Sequence, residues 1–473
     1  MSEQKQRALP KILPLATVCT FLILLALWGA YLFNEAKKVL AVQELDSLTA
    51  TQKKYLESIL DVQYPERLST PLAPLPYPSS MPELDLGAEC AILIDTATGS
   101  ILYEKNADTP VPPASLTKIV EMYVVFQAIQ KGEAALDDVV PLPPESWAEN
   151  LPGDASRMGL SEGEHVTLRE LLLGLAIASG NDASIACAHY IAGTMDEFVR
   201  RMNAAVQELG LTQTHFVESS GYSADNVTTA REFAAFATAY IKKFPFALRE
   251  FHSRESLSYP LRRNMSEREL ASSRKQTYTQ KNTNKLLGQI KGCDGLKTGF
   301  IEESGYNISV TAEQNGTRFL SVTLRGPGNG TAEGNKHRVQ DNLRLFNYAF
   351  SSFADYNGGK EDHAWTVAIV GGRKNAVRLV PALNETITVP IMDQDSPTAA
   401  ASSVHVTVEI PDMILGGVRC GDRYGTIHYW LGDTELQSLP LVADRDAEAG
   451  NAFQRVSGKI LLYAMAKAKE LKK

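Results

Sequence analysis

The chain has 473 residues, of which 44% are hydrophobic and 22% charged, a composition that is ordinary for a folded protein of two or more domains. Its formal net charge of −8 leaves no basic excess to neutralise phosphates, which argues against a general nucleic-acid-binding protein. The five cysteines are scattered without a C-x-x-C spacing. This pattern argues against a zinc site and a dense disulfide framework, and it leaves a single disulfide open.

An uncharged, mostly apolar run covers residues 12–33 and follows Lys5, Arg7 and Lys11. As a helix, this run would span roughly 33 Å, which is enough for a bilayer core of about 30 Å. The apolar part of a cleaved signal peptide is shorter, about 7–15 residues, and ends in small residues. The pattern therefore favours an uncleaved anchor within residues 1–33. Either interpretation places the rest of the chain outside the cytoplasm.

Residues 34–85 are predicted to form a stalk and linker. Apolar residues between Ala41 and Ile59 recur every three or four positions, which predicts a helix. That helix either forms a short coiled coil or lies on the membrane or on the folded body. The stretch from Tyr64 to Pro82 contains six prolines, which disfavour a helix and predict an extended spacer.

Folded sequence is predicted to begin near Leu86 and to continue to about residue 355. Two strands joined by a turn are predicted first, at residues 91–95 and 98–103. Helical periodicity then recurs as far as residue 241, and strands resume after Lys297. This order predicts an α/β (α+β) domain in which both chain ends supply one sheet and a helical block is inserted between them.

Three further segments have distinct compositions. The charged segment His252–Gln280 predicts a surface loop or hairpin, with a partner-binding arm as the alternative. Residues 363–446 alternate apolar and polar positions between Gly-rich turns, which predicts a small β-sandwich-like domain. Residues 451–473 predict a basic amphipathic helix that either lies on an anionic membrane surface or packs on its own domain.

Three short motifs follow one another in the predicted α/β domain: Ser-x-x-Lys at 115–118, Ser-Gly-Asn at 179–181 and Lys-Thr-Gly at 297–299. A serine and a lysine three apart share one helix face, where a neutral lysine can accept the serine proton. Ser-x-x-Lys also occurs at 2–5 and 272–275, but only the pair at 115–118 starts an apolar helical pattern. Each motif alone has an ordinary structural interpretation, whereas the ordered set of three predicts an active site.

In these motifs the chain resembles the low-molecular-mass penicillin-binding proteins, the serine D-alanyl-D-alanine carboxypeptidases. The likeness runs from about Leu86 to Asp446 and includes Asp-Thr-Ala-Thr-Gly at 95–99, Pro-Pro-Ala before Ser115 and Asp-Gly-Leu before Lys297. The resemblance implies a transpeptidase-like domain of the penicillin-binding and β-lactamase type. It also implies a β-rich second domain and a membrane-associating C-terminal helix.

The resemblance implies catalytic roles for three residues. Ser115 would attack the carbonyl between the last two D-alanines and form an acyl-enzyme. Lys118 would act as the base, and burial together with the nearby cation Lys297 is expected to lower its pKa. Ser179 would relay the proton to the leaving amine.

The resemblance also implies a set of substrate-binding residues. Asn181 would hold the acyl peptide. Lys297, Thr298 and Gly299 form the motif that would bind the terminal carboxylate, and Arg338 matches a family arginine that aids this recognition. Backbone N–H groups of Ser115 and Phe300 would form the oxyanion hole. No metal or organic cofactor is implied.

The predicted function is therefore a D,D-carboxypeptidase of the bacterial cell envelope that trims peptidoglycan pentapeptide stems and is acylated by β-lactams. A D,D-endopeptidase that cuts cross-links and a catalytically silent wall-binding scaffold are the alternatives. A β-lactamase is disfavoured because no Glu-x-x-x-Asn occurs between Asn181 and Lys297. Ile301, Ser304 and Cys293 depart from the family pattern and leave the substrate preference open. Cys293 is interpreted as a buried structural thiol.

Overall fold

The computed structural model describes residues 12–42, 44–272, 275–358, 363–391 and 404–471, with side chains described from residue 17. Several sequence predictions fall partly outside these ranges. They are the basic residues before the apolar run, the serine–lysine pair at 2–5, and the tail residues Lys472 and Lys473. Arg274, in the charged segment, also lies outside the described residues.

Ten α-helices lie in the described ranges: α1 (Ile12–Leu40), α2 (Ala50–Gln63), α3 (Thr117–Gln130), α4 (Leu168–Leu173), α5 (Asn181–Ala192), α6 (Met195–Glu208), α7 (Ala230–Lys243), α8 (Glu267–Ser272), α9 (Thr331–Ser352) and α10 (Ala452–Glu470). The strands before the charged hairpin are β1 (Ala73–Pro74), β2 (Cys90–Asp95), β3 (Ser100–Lys105), β4 (Val139–Val140) and β5 (Val166–Thr167). Those that follow up to residue 357 are β6 (Ser256–Tyr259), β7 (Tyr278–Lys281), β8 (Cys293–Ile301), β9 (Gly305–Gln314), β10 (Thr317–Gly326) and β11 (Phe353–Asn357). The remaining strands are β12 (Trp365–Val370), β13 (Ala376–Pro381), β14 (Thr386–Pro390), β15 (Val404–Glu409), β16 (Met413–Leu415), β17 (Arg423–Leu431) and β18 (Thr434–Ala443).

The chain divides into two compact units, and the larger one comprises residues 69–357 and 386–403. Its six-stranded sheet has the order β1-β3-β2-β10-β9-β8, so strands from both ends of the segment lie side by side. The helices α3 to α7 lie between these two groups of strands in the sequence. The predicted arrangement, a sheet supplied by both chain ends with an inserted helical block, is confirmed.

The central strand β2 is buried on both faces because its alternate residues enter two different cores. Ile92 and Ile94 belong to a large cluster with the helical block, including Phe126 of α3. Ala91 and Leu93 belong to a second cluster with α9 residues such as Phe346. Since successive strand residues point to opposite faces, this nearly continuous apolar strand is covered by helices on both sides.

The charged segment His252–Gln280 forms a hairpin rather than an irregular loop. Strands β6 and β7 pair antiparallel from Ser256 opposite Lys281 to Tyr259 opposite Tyr278, and α8 lies between them in the sequence. Within this hairpin, Lys275 forms ion pairs with Glu164 and Glu269. The hairpin that the composition predicted is therefore tied to the body of the unit by charge pairing.

The smaller unit is assembled from residues 1–68, 358–385 and 404–473. Its sheet has the order β15-β17-β18-β13-β12-β16 and corresponds to the predicted β-rich C-terminal region. Strand β14 is the exception, because residues 386–390 pair with β11 in the larger unit. The domain predicted for 363–446 is therefore not continuous, because β14 pairs with the distant strand β11. Alternation of apolar and polar residues is a local pattern and does not show which strands pair.

Helix α2, predicted as part of a stalk or as a helix on the body, packs within the smaller unit. Leu56 and Leu60 are buried in a cluster with Ala382, Cys420 and Val442. A capping box at Thr49 and Gln52 fixes the start of the helix. Of the three sequence interpretations, a coiled coil, a helix on the membrane and a helix on the folded body, the structure contains the last.

Helices α1 and α10 also belong to the smaller unit. Residues Thr17–Leu40 of α1 contain an 18-residue window with a mean hydropathy of 1.8 and no buried residue. They form the one described helix that is long and apolar enough to span a membrane. Helix α10 buries Ser457, Gly458 and Leu461. All five cysteines lie in the described ranges as free thiols, so the single disulfide left open by the sequence is not formed.

Candidate active site

Ser115 lies in a single 3-10 turn, Ala114–Leu116, that leads directly into α3. Ala114 has a φ of 50°, and the hydroxyl of Thr117 donates to its carbonyl at 2.8 Å. A left-handed alanine is strained, and such strain is typical of backbone that positions a functional group. The turn places Ser115 and Lys118 on one face of the helix start, as the spacing of the pair predicted.

Lys118 is fully buried, and its ammonium nitrogen has three contacts. Nζ lies 3.1 Å from Ser115 Oγ, 2.8 Å from Asn181 Oδ1 and 2.6 Å from the carbonyl oxygen of Ser220. Burial lowers the pKa of Lys118 to about 8, an effect that nearby carboxyl groups, first Glu121, partly offset. A lysine in this environment reaches its neutral form near physiological pH.

Ser179 and Asn181 stand at the junction between a π-helical turn, Gly174–Ala178, and α5. Ser179 has a left-handed backbone with φ 58°, and both side chains are nearly fully buried. The neighbouring Asp182 holds the junction, since its carboxylate accepts hydrogen bonds from the backbone N–H groups of residues 158–160 at 2.6–3.0 Å. The Ser-Gly-Asn motif is thus a turn, and this turn delivers Asn181 to Lys118.

Strand β8 carries Lys297, Thr298 and Gly299 at the edge of the sheet. A Cβ atom on Gly299 would lie 2.7 Å from the carbonyl oxygen of Pro113 and 3.0 Å from the backbone nitrogen of Ser115. Only a residue without a side chain permits this approach of the strand to the serine turn. The Lys-Thr-Gly motif and the Ser-x-x-Lys motif are therefore in direct backbone contact.

Lys297 is almost fully buried, and its Nζ donates to the carbonyl oxygen of Thr298 at 2.9 Å. Burial, followed by repulsion from Lys118 and Arg338, lowers the pKa of Lys297 well below its ordinary value. The sequence predicted that Lys297 would also lower the pKa of Lys118. In the structure burial is what lowers the Lys118 pKa, and the repulsion between the two cations acts on Lys297.

Arg338 projects from α9 to the same strand. Its guanidinium donates to the carbonyl oxygen of Gly299 and, at 2.9 Å, to Asn335 Oδ1, and it lies 4.8 Å from the ring centre of Tyr306. Burial lowers the pKa of Arg338 to about 10, so the group remains charged at neutral pH. Its Nε atom is buried without an acceptor among the described residues, which leaves one donor for a ligand.

The site contains a cavity of about 430 Å³, and the buried Lys118, Asn181 and Lys297 are not among its lining residues. Its lining includes Ser115, Ser179, Thr298, Phe300 and Arg338, which the sequence predicted. Residues of other segments that the motifs did not indicate also line it: Asp154, Ser156, Lys281, Thr283, Lys285, Tyr306, Thr331 and Asn335. Of these residues, only Tyr306 could have been found from the sequence, because pairing of the predicted strands β8 and β9 places it opposite Phe300.

Phe300 and Cys293 are two further residues that the sequence analysis named. The ring of Phe300 is about half exposed and stacks on Tyr306 with 4.4 Å between centroids. The thiol of Cys293, predicted to be buried, is only partly buried, and desolvation raises its pKa to about 11, which keeps it protonated. No group of three or more His, Cys, Asp or Glu side chains in the described ranges is arranged to hold a metal ion.

Comparison with known proteins decides the family. Residues 78–328 match the family described as D-alanyl-D-alanine carboxypeptidase. The D-alanyl-D-alanine carboxypeptidase DacC of Escherichia coli is 31% identical over 374 residues, which cover 78% of this chain and 86% of that protein. The chain belongs to the D-alanyl-D-alanine carboxypeptidase family. DacF of Bacillus subtilis is similar at 30% identity, over 77% of this chain and 87% of that protein.

Solved structures agree with this assignment to the carboxypeptidase family. Penicillin binding protein 5 from Haemophilus influenzae matches this carboxypeptidase with a TM-score of 0.65 and 27% identity, over 78% of this chain and all of that one. The predicted family and the predicted transpeptidase-like fold are confirmed. The predicted activity, a serine-type D-Ala-D-Ala carboxypeptidase, is confirmed at the level of the family and its relatives.

Proposed function

We propose that this carboxypeptidase removes the terminal D-alanine from peptidoglycan pentapeptide stems through an acyl-enzyme on Ser115. The observation that carries the proposal is the 3.1 Å contact between Lys118 Nζ and Ser115 Oγ inside a buried site. A buried lysine with a lowered pKa is a base, and a hydroxyl at hydrogen-bond distance from a base is an activated nucleophile.

In the acylation step, Ser115 Oγ bonds to the carbonyl carbon between the two D-alanines while its proton passes to neutral Lys118. The C–N bond to the last D-alanine then breaks, and the proton reaches the leaving amine through the hydroxyl of Ser179. Ser179 lines the cavity beside Ser115, which supports this relay. Backbone N–H groups of Ser115 and Phe300 stabilise the oxyanion; loss of one such donor typically costs about 2.7–4 kcal/mol.

Deacylation reverses the proton movements with water as the nucleophile. Water attacks the ester carbonyl, gives a proton to neutral Lys118, and the ester bond to Ser115 Oγ breaks as the proton returns to that oxygen. The products are the shortened stem peptide and the original enzyme. Asn181 is assigned to hold the acyl peptide, and its Oδ1, 2.8 Å from Lys118 Nζ, places it beside the base.

The terminal carboxylate of the substrate is assigned to Lys297, Thr298 and Arg338, of which Thr298 and Arg338 line the cavity, with Gly299 permitting the close approach. Arg338 supplies the persistent positive charge, because its pKa stays near 10 while the pKa of Lys297 falls well below its ordinary value. Its unpartnered Nε supports this role. Guanidinium groups are suited to paired hydrogen bonds with a carboxylate.

The decisive test uses a fluorescent penicillin and a D-Ala-D-Ala pentapeptide. We expect covalent labelling that maps to Ser115 and release of D-alanine, and we expect Ser115→Ala to lose both. Ser272→Ala is the matched control, since it removes the serine of another Ser-x-x-Lys pair and should leave both signals intact. Absence of labelling and of D-alanine release between pH 5 and 10 would refute the proposal and support a silent scaffold.

The endopeptidase alternative is tested with cross-linked muropeptides. A carboxypeptidase releases D-alanine from pentapeptide monomers and leaves dimers intact, whereas an endopeptidase converts dimers to monomers. Cleavage of dimers at a rate above that of pentapeptides would replace the proposed substrate with the cross-link.

We also propose that the chain is anchored in the bacterial membrane with the larger unit outside the cytoplasm. The unburied apolar span in α1 supports the anchor. A second contact is supported by α10, whose residues Phe453, Val456, Ile460 and Tyr463 are exposed along one stripe. Amphipathic helices of this kind lie in the headgroup region of anionic membranes.

A further inference from the structure

The orientation of the Lys118 amine depends on a residue outside the three motifs. Two of its three partners, Asn181 Oδ1 at 2.8 Å and the Ser220 carbonyl at 2.6 Å, only accept hydrogen bonds. A neutral amine has two N–H bonds and one lone pair. When these two N–H bonds point to Asn181 and Ser220, the lone pair is left for the hydroxyl of Ser115, 3.1 Å away.

The loop that carries Ser220 is held in shape by the carboxylate of Glu218. One oxygen of Glu218 accepts from the backbone N–H and the hydroxyl of Ser220 at 2.7 and 2.6 Å. The other accepts from the N–H of Gly221 at 2.7 Å and from Asn226 Nδ2 at 2.8 Å. Four short hydrogen bonds to a charged acceptor are strong ones, so the loop has little freedom to rotate the Ser220 carbonyl.

The same loop is docked against the serine turn. A Cβ atom on Gly221 would lie 1.9 Å from the carbonyl oxygen of Ala114 and 2.9 Å from the nitrogen of Ser115. On its other side, the hydroxyls of Ser219 and Ser184 are 2.7 Å apart, which ties the loop to α5. The loop therefore contacts both the turn of Ser115 and the helix that begins at Asn181.

We propose that Glu218 is a positioning residue that fixes the Ser220 carbonyl on Lys118 and thereby directs the amine lone pair at Ser115. The proposal rests on the proposed function, in which Lys118 is the base. Glu218 does not touch the substrate cavity, so it acts only through the loop and through its charge. Its charge favours the protonated form of Lys118, as do Glu121 on α3 and Asp182 on α5.

The test measures the second-order acylation constant for a fluorescent penicillin between pH 5 and 10 in the full-length protein. Glu218→Asp keeps the charge but shortens the side chain, so the plateau rate should fall roughly 10–100-fold with the pH midpoint unchanged, since a positioned base contributes about 10²–10⁴-fold. Glu218→Gln keeps the length and removes the charge, so the plateau should fall and the midpoint should move to lower pH.

Glu232→Gln is the matched control. Glu232 also accepts several loop hydrogen bonds, from the backbone N–H groups of Thr212 and Gln213 at 2.9 and 3.0 Å and from the hydroxyl of Thr214. It has no contact with Lys118, so its loss should leave the rate within about threefold and the midpoint unchanged. Thermal unfolding of every variant identifies the fraction of folded protein, to which the rates are normalised.

The outcomes separate the two proposals. Wild-type rates and midpoint in both Glu218 variants would overturn the positioning role while labelling at Ser115 stands. If the variants contain less folded protein but the folded fraction reacts at the wild-type rate, the proposal is also overturned. A purely structural role changes the amount of folded protein and leaves the rate constant and the pH midpoint of the folded fraction unchanged. Labelling that persists in Ser115→Ala would instead overturn the proposed function. If Glu218→Gln does not fold, Glu218→Asp alone decides.

Discussion

Lys118 and Lys297 are two buried lysines of the candidate site, and in the proposed mechanism the protonation of Lys118 sets the pH dependence of the reaction. Burial lowers the pKa of Lys118 to about 8, so the amine is neutral above that pH and protonated below it. Burial and the neighbouring cations also lower the pKa of Lys297. A base has to be neutral, so in the proposed mechanism Lys118 sets the lower pH limit, while Arg338, whose pKa is about 10, keeps the carboxylate site charged.

We predict that the rate of acylation of Ser115 by penicillin rises with pH to a plateau. The rate should rise about tenfold per pH unit below the pKa of Lys118 and level off near pH 8, because the fraction of neutral amine follows that titration. Stopped-flow labelling from pH 5 to 10 measures the profile.

Lys118→Arg is the control for this profile. The guanidinium remains charged at every accessible pH, so it cannot accept the serine proton and labelling should be lost throughout. A wild-type enzyme with a flat profile, or an arginine variant that keeps the rise toward pH 8, would show that another group is the base.

At the scale of elements, the candidate site depends on a close approach of strand β8 to the turn before α3. The backbones are so close that a side chain at the contact point would not fit. Gly299 is the contact point on the strand, and Gly221 is a second one on the loop. Helix α9 adds Arg338 from the opposite face of the sheet edge, where its guanidinium donates to the Gly299 carbonyl. Three elements distant in the sequence therefore meet at one backbone segment.

We predict that Gly299→Ala lowers the acylation constant about 100-fold, because displacement of a reacting group by less than an ångström is costly. The added methyl would lie 2.7 Å from the Pro113 carbonyl and 3.0 Å from the Ser115 nitrogen, so strand or turn has to shift. The overpacking should also destabilise the fold by about 1–3 kcal/mol. Labelling kinetics and urea unfolding measure the two effects.

Gly153→Ala is the matched control, since a Cβ atom there has nothing within 4 Å. It should leave both the rate and the unfolding free energy close to wild type. Equal losses in the two variants, or full activity in Gly299→Ala, would contradict the role of this close approach.

At the scale of the whole molecule, each of the two compact units is built from segments that are separated in the sequence. The smaller unit consists of residues 1–68, 358–385 and 404–473. The larger unit consists of residues 69–357 together with residues 386–403 of the C-terminal region. Helices α1 and α10, from the two ends of the chain, are both in the smaller unit. This unit therefore contains both segments that are candidates for contact with the membrane.

We predict that the chain without residues 1–40 no longer requires detergent for extraction but still binds anionic phosphatidylglycerol vesicles. The exposed apolar stripe and the lysines of α10 supply this weaker contact, which salt should reduce. In that truncated chain, Val456→Glu should abolish vesicle binding, because Val456 is 53% exposed on the stripe. Vesicle co-sedimentation at low and high salt measures both effects.

Val139→Glu is the control, since Val139 is similarly exposed at 58% but lies in the larger unit. It should bind vesicles as the unsubstituted truncated chain does. Binding that survives Val456→Glu would show that α10 does not bind through this stripe. Equal binding to neutral and anionic vesicles would show that the lysines do not contribute.

The sequence by itself determined the family, the sheet–helix–sheet order and the three motifs of the site. These are properties of local pattern: a short continuous apolar run in β2, a helical period in α3 to α7, and residue types at fixed short spacings. The spacing of Ser115 and Lys118 is geometry within one helical turn, so it needs no tertiary structure to be read.

Only the tertiary structure decided which distant residues complete the site. The Ser220 carbonyl, Glu218 and Tyr306 carry no motif, and they reach the motif residues through loop docking and strand pairing across long stretches of sequence. The packing of α2 by Leu56 and Leu60, and the return of β14 to pair with β11, were likewise undetermined. The physical reason is that burial, which lowers the pKa of Lys118, and long-range pairing are properties of the folded chain and not of neighbouring residues.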